Sequence, residues 1–404
     1  IIHWSNDWKC NSVSAKAAPT SLTLKDTGME HKTDVLIVGA GIIGSAIAYN
    51  LRKRGVDVLV LDREETGSQA SSAAAGLLAP LGPLSGPGPF ADLLLTSFSL
   101  FPFLVPELEA VSGLQVGYEQ TGALRTVRNP KRVANLKKRL EAWKPLGLTM
   151  HWLTGDEARQ REPLLAADLS AAIYAPEESQ IQASQITQAF STAAEKLGAR
   201  FYAHAEVVDV KHKGEEITGV ETSQGKIINC SHLILATGSW AGQHENWFNL
   251  SLPVRPVKGQ IISVQETTPA LKHIIFGESA YIARKQESII VGATKEEAGF
   301  NTQTTDEGVS WLRDTAIRFI PAMQQSTILS SWAGLRPGTP DKQPILGPVP
   351  RWKNVTLALG HNSVGIILSA ITGQAIAELV ATGNMPEIIR PFSLERFQAS
   401  TGAK

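Results

Sequence analysis

Cysteine is nearly missing: the 404-residue chain has two, Cys10 and Cys230. Two cysteines cannot make a disulfide framework or a metal site, and reducing cytosol is the expected compartment. A surplus of either charge is missing too, since 38 Lys and Arg balance 38 Asp and Glu. Without basic excess there is no electrostatic footprint for nucleic acid. Long apolar runs are rare. The most apolar region, 89–106, is cut by Asp92 and Pro102, which predicts an amphipathic helix pair and no membrane span. No internal repeat or low-complexity tract is present. What remains is 43% hydrophobic and 19% charged, long enough for two or three domains around a sizeable core. Residues 1–28 stand apart, with no initial Met, no periodicity and no apolar signal core, while Met29 sits just before the first strand. They are expected to be a misassigned start or a cloning remnant, with 1–30 a disordered extension.

The informative stretch is 34–63, DVLIVGAGIIGSAIAYNLRKRGVDVLVLDR. Val35 to Val38 is a short β-branched run suited to a strand buried on both faces. Gly39, Gly41 and Gly44 supply G-x-G-x-x-G: the tight turn, the close approach of backbone N–H groups to a pyrophosphate, and the packing of helix on strand. A helix over 42–54 ends with Lys53, Arg54 and Gly55, a sound C-terminal signal. A second strand, 56–61, ends at Asp62, where a ribose hydroxyl would be accepted. These features together predict a dinucleotide site.

Further along, small residues dominate 67–76, letting backbone pass close to a flat ligand. Residues 93–111 have helical spacing, 118–127 read as a hairpin turning at Thr121-Gly122, and 131–144 as a basic amphipathic helix with a solvated face. A short helix is entered through Thr154, and 183–197 is a helix closed by Gly198. Residues 201–210 are expected as a strand, and 227–236 run as an apolar strand into Thr237-Gly238. Strands at 252–264, 274–276, 280–283, 288–292 and 327–331 with little helix between suggest an antiparallel sheet. A helix at 306–320, a strand at 355–359 and a helix at 366–380 complete the chain. Strands of the nucleotide unit thus occur at both ends. The predicted fold is α/β: a discontinuous Rossmann-like domain (31–110, 180–254, 334–392) with an inserted α+β, antiparallel-sheet substrate domain (111–179, 255–333).

The blocks VGAGIIGSAIAYNL, SSAAAGLL, PVKGQ, LILATGSWA, YIARK with IIVGAT, WAGLRPGTPDKQPILGP and GHNSVGIILSAITGQAIAELV resemble FAD-dependent amine oxidases of the D-amino-acid oxidase group, especially the glycine oxidases of the thiamine pathway. The resemblance spans residues 33–392. It implies a bound FAD and a sheet roofing the flavin. By matching position, Ile42, Ile43, Asp62 and Arg63, with Gly39, Gly41 and Gly44, would hold the adenosine and pyrophosphate. Ala70, Ser71, Ala75, Gly76 and Leu77 would line the phosphates and flavin, beside Gly238, and Val207 would meet the adenine through its backbone. His361, Asn362, Ser363, Val364, Gly365, Ile366 and Ile367 would wrap the far edge of the ring, with the N-terminus of the last helix facing it.

The same resemblance implies the chemistry. Arg336 would clamp the substrate carboxylate, a guanidinium offering a planar fork to two oxygens, and Tyr281 would donate to that carboxylate. Lys258 is either a cation beside the flavin ring or an exposed, structural lysine. An amine that arrives neutral needs no side-chain base. Hydride passes from Cα to flavin N5, water hydrolyses the imino acid, and O2 reoxidises the flavin to give H2O2. The implied partners are a small amino acid and O2, with homo-oligomerisation left open. Rival readings are a dehydrogenase of D-amino or secondary amino acids with another acceptor, and a flavin-binding protein with no amine chemistry. Three departures bear on substrate: Ser363 stands where many relatives carry arginine, Lys295 replaces an apolar residue, and Leu77 a methionine.

Overall fold

Val35 to Val38 are buried on both faces, and their strand, Lys32–Val38, lies in the middle of a largely parallel sheet. The computed structural model describes residues 32–277 and 280–398; the extension expected over 1–30 lies outside the described residues. Across this sheet the strands run Ile345–Pro348, Val355–Leu359, Ile227–Leu235, Lys32–Val38, Val58–Leu61 and Arg200–Tyr202. All neighbours are parallel except the edge strand Ile345–Pro348. Val207–Lys213 and Glu216–Thr222 form an antiparallel flap on Ile227–Leu235. Strands from early, middle and late sequence share the sheet, as the discontinuous layout predicts. Its order reverses at Lys32–Val38, which has Val58–Leu61 on one side and Ile227–Leu235 on the other. Such a reversal opens a crevice at the strands' C-terminal ends.

One face of the sheet carries the helices Ile42–Lys53, Ala183–Lys196 and Gly365–Thr382, which share a core with it. The first and last cross closely: a β-carbon on Gly373 would sit 2.8 Å from the Ala46 carbonyl oxygen. The second sheet runs Ile328–Gly338, Arg255–Gln265, Ser288–Gly292, Tyr281–Lys285, Ile274–Phe276, Ala123–Val127, Ala171–Ala175 and His151–Thr154. It is antiparallel except where Ile274–Phe276 runs parallel to Ala123–Val127. Helix Asp306–Phe319 packs Leu312, Ala316 and Phe319 against one face. The other face looks toward the nucleotide sheet.

Four local expectations are corrected. The hairpin over 118–127 is absent: Ala123–Val127 alone is strand, while Glu119 pairs with Gln180 and Gly122 N donates to Glu178 O. The expected helix pair is one helix, Pro89–Ser112, running through Pro102 and Pro106. Both prolines are exposed, so water can serve the carbonyls they leave without a partner. The strand over 201–210 is broken. Arg200–Tyr202 ends the parallel sheet, His204 takes φ 55, and Val207–Lys213 leaves into the flap. Finally, the strand expected to stop at 331 continues to Gly338, paired along its length with Arg255–Gln265. The boundary placed between 333 and 334 falls inside it. Helices Pro89–Ser112 and Gly365–Thr382 are long and apolar enough to cross a membrane, with 39% and 67% of their most apolar windows buried within the protein.

Candidate active site

Val38, Leu61, Leu235 and Leu359 end four neighbouring parallel strands. The loops that follow them line one side of a cavity of about 530 Å³, and the second sheet lines the other. That volume suits a small-molecule or cofactor site. All but two of the proposed site residues line it.

The nucleotide side is built for close backbone approach to an anion. Gly39 has φ 109, and a β-carbon there would lie 2.8 Å from the Ala236 carbonyl carbon. Helix Ile42–Lys53 begins at Gly41, which has no side chain to cap it, and has no acid in its first turn. Helix Gly365–Thr382 likewise has no acid in its first turn. Two such N-termini, at Ile42-Ile43 and Gly365–Ile367, meet one cavity and make it electropositive there. Ser71 Oγ accepts from Ile42 N at 2.9 Å, tying the small-residue segment to the turn. Asp62 accepts from Ala40 N at 2.6 Å and Glu64 N at 2.9 Å, so its carboxylate braces the glycine turn. Burial raises its pKa while those bonds lower it, with burial the larger effect. Arg63 lies 3.9 Å from the centre of the Trp240 ring, and Val207 and Gly238 line the same end.

The roof follows from register. Trp332 lies opposite Ile261, Ile261 opposite Gly292, Gly292 opposite Tyr281, and Tyr281 opposite Phe276. Paired residues share a face, so Ile261, Tyr281 and Phe276 line the cavity together. Trp332 Nε1 donates across to Ala73 O at 3.1 Å, holding roof to nucleotide side. Arg336, on the same face four residues past Trp332, sends Nη1 to the carbonyls of Thr294 (3.1 Å) and Lys258 (3.3 Å). Among the described residues no hydrogen bond engages its Nε or Nη2. Burial pulls its pKa down, opposed by Tyr281 and Glu296. Burial raises the Tyr281 hydroxyl above its usual range, so it stays protonated and can donate. Arg63 and Arg336 are the only lysine or arginine side chains lining the cavity among the described residues.

Two expected site residues lie elsewhere. Gly44 faces the strand: a β-carbon there would overlap the Gly39 carbonyl oxygen, so it serves the packing role and does not line the cavity. Lys258 alternates with Gly259 and therefore points to the opposite face of the roof, where its Nζ lies 3.4 Å from Glu296 Oε2, 1% of the residue being exposed. It is thus buried where the structural alternative expected it exposed, and it does not line the cavity where the cofactor reading expected it. Of the three departures, Ser363 and Leu77 line the cavity, whereas Lys295 is exposed and does not. His361 is buried beside Ser363, with Nε2 3.2 Å from Thr372 Oγ1; burial pushes its pKa down to about 3, so it adds no charge. Sequence reasoning passed over Gly259, Phe276, Ser239 and Trp240 as site residues, though PVKGQ and LILATGSW carried three of them.

An elongated dinucleotide fits these features. Helix ends without an acid in the first turn would face its pyrophosphate and its electron-rich ring, glycines would admit it, and the buried Thr237 Oγ1, on the cavity wall, has no partner among the described residues. Fold and site therefore define a flavin-dinucleotide oxidoreductase. The chain belongs to the family of FAD dependent oxidoreductases (DAO), whose model matches residues 34–379, and its cofactor is FAD. It is 34% identical to the glycine oxidase of Geobacillus kaustophilus over 93% of this chain and 100% of the relative. A crystal structure of glycine oxidase from that organism superposes with a TM-score of 0.87, covering 91% of this chain and 99% of that one. The bifunctional protein ThiO/ThiG of Trichormus variabilis is 36% identical over 90% of this chain and 55% of the relative. Hydrogen cyanide synthase subunit HcnC of Pseudomonas aeruginosa is 30% identical over 93% and 99%.

Proposed function

We propose that the protein oxidises glycine or another small amino acid at its amine, with O2 as acceptor and H2O2 as product. The observation that carries this reading is Arg336, among the described residues the one lysine or arginine that the roof turns to the cavity, fixed from behind by two carbonyls with its remaining donors unengaged by them. Its fork takes the substrate carboxylate, and the neutral Tyr281 hydroxyl adds a donor. Among the described residues the cavity's acidic side chains, Asp62, Glu65 and Glu206, come from the nucleotide side, and no carboxylate or imidazole of the roof lines it, in keeping with an amine that arrives neutral. Ile261 and Phe276 give the substrate an apolar wall, and neutral Ser363 offers no second cation, which favours a monocarboxylate. Bound FAD supplies the hydride acceptor and passes the electrons to O2. A role in thiamine synthesis and a cytosolic setting belong to the same proposal. The two sheets support a nucleotide unit and a substrate unit, with Ile328–Gly338 on the substrate side.

Likeness to HcnC supports a second reading, oxidation of the same donor with another electron acceptor. One experiment separates the readings. Glycine, sarcosine and D-alanine are added without oxygen while flavin absorbance is followed, and oxygen is then admitted. Bleaching followed by recolouring with peroxide supports the oxidase. Bleaching without recolouring supports the other acceptor. No bleaching by any amine defeats both.

A further inference from the structure

We infer that Gly259 is the seat of the substrate-binding arginine. This rests on the reading that Arg336 holds the substrate carboxylate. Arg336 lies opposite Val257, and its side chain runs back along the roof over Gly259. A β-carbon at 259 would fall inside contact distance of Nη1 and Nη2 and 2.5 Å from Cζ. Gly259 is in a regular strand and is not among the residues with positive φ, so its backbone makes no demand for glycine. The missing side chain serves space alone. It lets the guanidinium lie against the sheet with Nη1 on Lys258 O and Thr294 O, which sets where the open donors point. Gly292 gives Tyr281 the same room: a β-carbon there would lie 2.9 Å from the ring's Cε2 and closer still to Cζ and the hydroxyl oxygen. The carboxylate subsite is therefore shaped by two glycines that act through the side chains lying over them.

An added methyl must push the guanidinium out by about 1 Å to reach ordinary contact distance. A misplacement of that size weakens a charge-assisted clamp by about ten- to a hundredfold. The test is a cycle of Gly259→Ala, Arg336→Ala and the double variant in the FAD-loaded enzyme. KM and kcat for glycine, FAD affinity and melting temperature are measured for each. Gly259→Ala should raise KM by about ten- to a hundredfold with FAD affinity unchanged, and the double variant should be no worse than Arg336→Ala. Methylguanidine should partly restore Arg336→Ala but not the double variant. If Gly259→Ala fails to fold, removing the guanidinium as well should restore folding, and no restoration overturns the seat. An unchanged KM in Gly259→Ala beside a raised one in Arg336→Ala overturns the seat alone, as do costs that simply add. An unchanged KM in Arg336→Ala overturns the carboxylate reading and the seat with it.

Discussion

Among the described residues Arg336 is held by backbone carbonyls and makes no ion pair, so removing it takes the partner of none of their buried carboxylates. Arg336→Ala should therefore raise KM for the amino acid steeply, by about 1.5–3 kcal/mol of lost charge-assisted contact, with FAD retained and folding intact. Steady-state kinetics beside flavin absorbance checks this, and loss of FAD with normal KM would defeat it. Tyr281→Phe removes a single bond from a neutral hydroxyl to that carboxylate and should cost less than loss of the guanidinium fork, about 1.5 kcal/mol. Lys258 tests the opposite expectation. It is buried behind the roof against Glu296. Lys258→Met should lower the melting temperature by breaking that pair, while the rate of flavin reoxidation by O2 stays unchanged. A slowed oxygen reaction in a well-folded variant would return Lys258 to the cofactor.

The joint between the first strand and its helix separates two uses of glycine. At Gly44 a side chain would meet the Gly39 carbonyl, which is backbone and cannot swing away. At Gly41 it would meet only Ser71 Oγ, at 3.3 Å, a side chain that can turn. Gly44→Ala should therefore lower the melting temperature of FAD-free protein, by about 1–3 kcal/mol of overpacking. Gly41→Ala should leave that temperature nearly unchanged and weaken FAD binding. Calorimetry of stripped protein together with FAD titration distinguishes them, and equal behaviour of the two variants would sink the distinction. The motif was legible in sequence because its spacing, its strand and its helix agreed. The roof strand was less so. Arg255–Gln265 is buried on both faces over most of its length, so polarity did not alternate and nothing marked Gly259 as inward and Lys258 as outward. Gly334, Pro337 and Gly338 likewise hid the full length of Ile328–Gly338, since both residue types usually end strands.

At the scale of the molecule, the cavity lies between the two sheets, so residues of both would contact bound FAD. Its removal should lower the melting temperature, by about 2.7 kcal/mol of stability if FAD is normally present at a hundred times its Kd. Acid should act on the whole fold as well. His232 and His244 are pushed by burial from 6.5 to about 4, and His361 to about 3. The unfolded chain takes up these protons first, so their stabilising contribution is complete above pH 6.5 and falls progressively as pH drops toward 4. Melting temperature should fall between about pH 7 and 5, before most carboxylates titrate. His232→Gln, in the sheet away from the cavity, should flatten part of that fall. A melting temperature that rises on acidification would refute the assignment.

The sequence by itself determined the nucleotide half. Glycine spacing, β-branched runs and helix caps are local properties, and they fix where a strand ends and a helix N-terminus begins. It also supplied Arg336 and Tyr281 through the blocks that hold them. Only the tertiary structure decided which way the roof residues face. Strand pairing is set by partners far along the chain, and a shift of one residue exchanges Gly259 for Lys258 at the cavity wall.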